Sequence, residues 1–248
     1  MSSLAAPPRP RPALRLLGQL AGVPVVAAVV AAGVWVAGGV LTDDFRGSLV
    51  LTAAWFALSG AACAAVAFRR PALRVPVLAA FVLTAGAIGG YLGLTTLRDR
   101  VVDERVVTGT PARALRNADA GGDRERDAAD RAAPAAAPAS VELARGRFGP
   151  GEHATTGTAA VVQLRDGRRF LTLTRFATSP GPDLRVRLVP GRTLNGAADG
   201  AVDLGALKGN RGDQQYRLPA GAAIAGRTVV IWCRAFSAPF GGAGLRAS

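Results

Sequence analysis

Residues 227–245 read R-T-V-V-I-W-C-R-A-F-S-A-P-F-G-G-A-G-L, a β-branched and aromatic run that ends in a cysteine and then breaks into proline and glycine. Val229, Val230, Ile231 and Trp232 favour a pleated, half-buried strand over so short a helix. Pro239 and the glycines at 241, 242 and 244 break the regular pattern, which puts Cys233 at a strand end or bulge close to a bend. Arg234 follows directly and would stabilise a thiolate if its guanidinium reached the sulfur, while Trp232 and Phe236 would limit the access of water. The competing reading of Cys233 is a small, inert core residue.

Upstream of that run, from Val141 onwards, short apolar segments recur between turn residues. Residues 158–164, 170–176, 184–189, 215–218 and 229–233 are the expected strands. Asp166-Gly167 signals a hairpin, and S-P-G-P-D at 179–183 signals a turn. No long amphipathic helix interrupts them, so residues 141–248 are expected to form a β-sandwich.

The first hundred residues are of another kind. Residues 16–41, 47–68 and 75–97 carry no charged side chain and are 26, 22 and 23 residues long. About 20 apolar residues suffice for a helix to cross the hydrocarbon. Three such stretches with short connectors predict a three-helix transmembrane anchor over residues 1–97, ahead of the all-β sandwich domain. Cytoplasmic loops are enriched in Lys and Arg. Arg9, Arg11 and Arg15 precede the first span and Arg69, Arg70 and Arg74 lie between the second and third, whereas the first loop carries Asp43, Asp44 and one Arg. The expected topology is therefore a multi-pass cell-membrane protein with a cytoplasmic N-terminus and an extracytoplasmic C-terminal domain. The first span is long for a cleaved signal peptide and reads as a retained helix. No Asp, Glu, Lys, Arg or His falls within the spans, which argues against an ion pathway. The G-x-x-x-G from Gly86 to Gly90 is a place for close helix approach.

Residues 98–140 mix alternating charges with Ala, Gly and Pro and have few apolar anchors after Val107, so a disordered, extended linker is expected, with a short helix around 124–133 as the one candidate element.

The net charge of +13 divides unevenly, and residues 141–248 hold 15 basic against 7 acidic side chains. Those charges are scattered between apolar positions, which speaks against nucleic acid and for anionic lipid headgroups or an anionic envelope polymer. The Ala- and Arg-rich composition, with almost no Lys, points to a GC-rich bacterial source.

Several motifs in order carry a resemblance: G-R-F, the H-x-x-x-G at 153–157, F-L-T-L-T-R-F, G-P-D-L, L-K-G-N-R-G-D-Q-Q-Y-R-L-P, and the cysteine-bearing run already quoted. Over residues 143–245 they resemble the DM thirteen domain family, also called the electron-transfer DM domain and related to DOMON β-sandwiches. The resemblance implies a β-sandwich whose signature cysteine, Cys233 here, takes part in redox chemistry as a free thiol or as a ligand to a prosthetic group.

Thiol redox needs a thiolate, access and a second electron carrier. Cys63 lies inside an apolar span, so Cys233 has no mate in its own domain and the expected partner is a separate redox protein, a small thiol or a bound cofactor. For haem, the candidate ligands are His153, Cys233 and Tyr216. Zinc spacing, a C-x-x-C-H and a G-x-S-x-G are all missing, which leaves no metal site or hydrolase signature to argue from. The lone His153, in a Gly- and Thr-rich turn, reads first as an exposed or structural residue and only second as a ligand. Lys208–Tyr216 reads as a tight turn before a strand, or as an anion-binding loop. The expected function is electron transfer through Cys233; the alternative is an extracellular binding or scaffolding module in which that cysteine is structural.

Overall fold

The computed structural model describes residues 22–41, 45–115 and 140–248, which form two compact units, one helical and one β. Helices α1 (Gly22–Gly39), α2 (Phe45–Arg69) and α3 (Arg74–Leu97) make up the first, with a single 3-10 turn at Pro71–Leu73 leading into α3. All three are long and apolar enough to cross a membrane, with a mean hydropathy of 1.9 over their apolar windows. Trp35, Phe68, Val75 and Leu83 are all more than two-thirds exposed, so these helices present large apolar side chains outward instead of burying one stripe. Close approach occurs at Gly33, where a side chain would run into the Trp55 ring, and at Gly60, where it would meet Phe81. The Trp55 indole N–H also donates to the Val30 carbonyl (3.3 Å). Gly86 and Gly90, the pair expected to permit close helix approach, have no neighbouring atom within 4 Å of where a side chain would start. The arginines at 9, 11 and 15 and the acidic pair at 43 and 44 lie outside the described residues.

The second unit is the expected two-sheet β structure. One sheet runs β1 (Val101–Asp103), β9 (Arg211–Arg217), β6 (Arg169–Ala177), β5 (Thr156–Leu164), β3 (Ser140–Arg147) and β12 (Arg246–Ala247), with β2 (Thr110–Pro111) also paired to β3. The other runs β4 (Gly149–Pro150), β11 (Ala238–Gly244), β10 (Arg227–Cys233), β7 (Leu184–Pro190) and β8 (Val202–Ala206). Alternating residues close the space between the sheets: Val161, Leu171, Leu173, Val186, Leu188, Ile231 and Phe240 are at most 1 % exposed. The Asp166-Gly167 hairpin forms between β5 and β6, and Gly167 sits at φ +80°, a conformation few side chains tolerate.

Of the strands that lie where none was expected, β3, β8 and β11 are the longest. β3 escaped notice because Glu142, Arg145 and Arg147 mask its alternation, although Ala144 and Gly146 face inward. β8 is short and only partly covered. β11 contains the glycines expected to end regular structure, yet it pairs along β10 from Gly244 to Ala238. Bare backbone is required there because a side chain at Gly241 would collide with Thr155 and the Gly149 carbonyl, and one at Gly242 with Leu194.

The larger correction concerns the tether. From Arg98 the chain does not run free but is stitched into the first sheet. Val101–Asp103 pair in parallel with Arg211–Asp213, and the Asn210 side chain accepts from the Arg100 amide (2.6 Å) and donates to Asp99 (2.7 Å). Glu104 binds Lys208 Nζ (2.7 Å) and accepts from the Gln215 amide (3.0 Å). The chain then crosses the sheet, with the Val107 amide donating to Gln215 Oε1 (3.0 Å), and re-enters as β2 beside β3 at the opposite edge. Polar side chains, which a hydropathy reading counts as disorder, supply this strap. Residues 116–139 of the expected linker, including the candidate helix around 124–133, lie outside the described residues.

Candidate functional site around Cys233

Cys233 is the last residue of β10, the middle strand of its sheet, and the β10–β11 register shifts between Ile231 and Trp232. It therefore stands at a strand end beside the β11 bulge at Phe240, just before the Arg234–Ser237 turn, in which Ser237 adopts φ +46°. Its register neighbours are Leu184 on β7 and Ala238 on β11. The sulfur's residue is 0 % exposed. Along β10 the side chains alternate, so Trp232 and Val230 point to the opposite face. There they pack with Val189 beneath Leu194, Ala198 and Ala201 of the loop after β7. Trp232 thus shields the outer face of the strand and not the thiol itself.

Burial pushes the Cys233 thiol up to about 11; hydrogen bonding to the backbone at Phe236, Asp183 and Ala235 pulls the other way, and the Asp183 carboxylate adds to the rise. Arg234 does not act as the expected counter-charge. Its Nε is bonded to Asp183 Oδ2 (2.6 Å) with most of the side chain in solvent, and its amide donates to the Asp183 carbonyl (2.9 Å). Asp183 closes the S-P-G-P-D turn and holds the β10–β11 turn through both carboxylate and backbone. Sequence reading found the turn but not this clasp, because the pairing residue lies 51 positions away.

His153 stacks on Phe240, with ring centroids 3.9 Å apart and planes at 26°. Burial lowers the His153 imidazole, against a smaller opposing effect from the Glu152 carboxylate. Phe240 is fully buried, and the Phe240 and Leu184 side chains both crowd Gly181, leaving no room for a side chain there. One end of the sandwich therefore collects Cys233, its neighbour Leu184, Gly181, Phe240 and His153. The Thr155 hydroxyl bonds the Phe240 carbonyl (2.9 Å) and pairs with Thr178 Oγ1 (2.8 Å), which fixes the loop carrying His153.

Tyr216 belongs to a different cluster. Its hydroxyl donates to Gln214 Oε1 (2.7 Å) and accepts from the Lys208 amide (3.0 Å), while Gln214, itself 0 % exposed, also takes the Lys208 and Gly209 amides. Burial raises the Tyr216 phenol well above its ordinary value. The Lys208–Tyr216 segment is thus a latch whose Lys208 and Gly209 amides are spent on Gln214 and whose Gln215 amide is spent on Glu104. Arg211-Gly212-Asp213 is the strand against which β1 pairs; the Asp213 carboxylate accepts from the amide of Arg175, whose φ is +49°.

Tyr216 does not join Cys233 and His153 as a haem ligand. Tyr216 and Cys233 are on different sheets, the Tyr216 hydroxyl is engaged, and neither of the two described cavities is lined by Cys233, His153 or Tyr216. Among the described residues, no three His, Cys, Asp or Glu side chains gather to hold a metal ion. Cys63, in α2, and Cys233 are both free thiols.

Residues 147–245 match the family model described as Electron transfer DM13. The β unit carries a DM13 domain. Cys233 is the one cysteine within the matched span, and the strap over residues 98–113 lies outside it. No curated protein and no solved structure matches the chain. The match brings with it a redox-related role, and the geometry states what such a role at this cysteine would have to overcome.

Proposed function

We propose that the chain is anchored in the cell membrane by α1 to α3, with its N-terminus cytoplasmic and its DM13 domain outside, and that the domain transfers electrons through Cys233. The observation that carries this reading is the position of the matched span's one cysteine: it sits at the end of the central strand, beside the β11 bulge at Phe240, and next to a clasp made by the Arg234–Asp183 ion pair and a backbone hydrogen bond. The outward apolar side chains of the helices support the anchoring, since water penalises such a surface and lipid does not.

The chemistry that suits a solitary sulfur is exchange with a disulfide of a partner protein. Opening the Arg234–Ser237 turn exposes Cys233, and the thiol loses its proton to solvent. The thiolate attacks one partner sulfur, forming a mixed disulfide, and the partner's second sulfur leaves as a thiolate. A small thiol then attacks the Cys233 sulfur and releases the partner as a dithiol. A second small thiol attacks the outer sulfur, leaving as the small-thiol disulfide and returning Cys233 to its thiolate, so two electrons pass from the small thiols to the partner. In the closed domain the buried, unionised thiol is protected from over-oxidation.

The test uses the full chain with Cys63→Ala, in neutral-lipid nanodiscs, equilibrated with glutathione buffers from strongly reducing to strongly oxidising. The expected result is a mixed disulfide on Cys233 under native conditions, absent in Cys233→Ser. A thiol that stays reduced throughout the series and is modified only in denaturant would overturn the redox role. It would leave the second reading, a binding or scaffolding module with a structural cysteine, which the complete burial of Cys233 favours.

A further inference from the structure

We propose that the DM13 domain has a binding site for phosphate-bearing anions at the end of the sandwich remote from Cys233. A cavity of about 1030 Å³ opens there, where β3 and β12 of one sheet meet the start of β10 and the end of β11 of the other. Six arginines line it: Arg113, Arg145, Arg147, Arg192, Arg227 and Arg246. Glu142 is the one acidic side chain in the lining, and it is already held by Arg145 (2.6 Å) and by the Ser248 hydroxyl (2.7 Å). Arg227 is fixed by the Leu188 and Gly200 carbonyls (3.1 and 2.8 Å), which satisfy N–H groups without cancelling its charge. The cavity therefore keeps a surplus of five positive charges.

Six of the unit's arginines thus gather around one concavity. Elsewhere on the unit five arginines have a carboxylate partner: Arg168 with Asp166, Arg185 and Arg187 with Asp203, Arg211 with Asp99 and Arg234 with Asp183. Several like charges around one concavity repel each other and cost stability unless an anion is bound. The wall they stand on includes Gly146, Gly226, Gly242 and Gly244, and at Gly244 the space beyond the backbone is open, so a ligand reaches main chain as well as guanidinium groups. Planar guanidinium forks match phosphate oxygens in pairs. A cavity of this volume has room for more than one phosphate group.

Two sources supply that chemistry: phosphodiester or polyphosphate groups free of the membrane, and lipid headgroups. The strap enters the first sheet at β1, and β12 and β2 stand at the opposite edge, five strand intervals away. At about 4.8 Å each, that edge stands roughly 24 Å from β1 within the β unit.

The probe is tripolyphosphate, titrated calorimetrically against the full chain in neutral-lipid nanodiscs. Stoichiometric binding that weakens with salt is expected, with affinity reduced tenfold or more by Arg147→Gln combined with Arg246→Gln and unchanged by Arg217→Gln, which lies outside the cavity. Equal loss in both variants, or no binding at all, overturns the site. Citrate is the comparator, and binding as tight as that of tripolyphosphate overturns the phosphate assignment. Repeating the titration in discs containing phosphatidylglycerol identifies the source. Unaltered affinity supports the site with a free phosphate ligand, and competition lost in the double variant supports it with a headgroup. A double variant whose Cys233 labelling rate equals that of the parent shows that the fold is intact.

Discussion

Strand β10 begins beside open arginines and ends at a sealed sulfur, and its two ends solve opposite problems. At Arg227 and Thr228 the backbone borders a charged cavity with surplus positive charge. Six residues later, roughly 20 Å along the strand, Cys233 is fully buried among apolar side chains and its ionisation is suppressed. The arginine charges are left in solvent, where they cost little; the thiol is kept neutral by burial. The contrast teaches that reactivity at Cys233 is governed by opening, whereas binding at the cavity needs none.

The strongest way to break that contrast is to unseal the sulfur. Phe240→Ala removes a fully buried ring that packs between His153 and the Gly181 turn, and is expected to cost about 3–5 kcal/mol. Alkylation of Cys233 in the Cys63→Ala background should then accelerate by roughly a hundredfold or more. An unchanged rate would mean that the thiol is reached by another route.

Next comes pH. The folded thiol titrates at about 11, above its ordinary value near 9.0. The stability this neutral thiol contributes is fully present below the unfolded value and is lost as pH rises through about 11. Two units correspond to roughly 2–3 kcal/mol. Comparing the melting of the parent with that of Cys233→Ala between pH 8 and 11 isolates it, and parallel curves would rule out the suppressed ionisation.

Gly241→Ala, which forces a methyl against Thr155 and the Gly149 carbonyl, should destabilise the domain by about 1–3 kcal/mol and quicken labelling accordingly. The smallest effect is at the other end of the strand. Arg246→Gln is expected to shift labelling by no more than about 0.5 kcal/mol, because an exposed arginine with surplus like charge around it holds nothing in place. A large loss there would mean that the cavity is structural.

The β-branched and aromatic run that ends at Cys233 was readable in the sequence, as were the Asp166-Gly167 hairpin and the three apolar helices, because each rests on the composition or turn chemistry of neighbouring residues. The β11 glycines were misread because their value lies in what approaches them from Thr155 and Leu194. The strap was misread because Asp99, Glu104 and Val107 bind residues more than a hundred positions later. Arg234 was assigned to the sulfur by adjacency and belongs to Asp183.

From its sequence alone this protein declares an apolar anchor, a β domain with one cysteine and an excess of arginine, since composition and periodicity are properties of the chain itself. Whether that cysteine is open or shut, and whether those arginines are paired or gathered, was decided only when distant strands came together. Burial and charge proximity are set by the distances between residues far apart in the chain, and only the folded sheets set those distances.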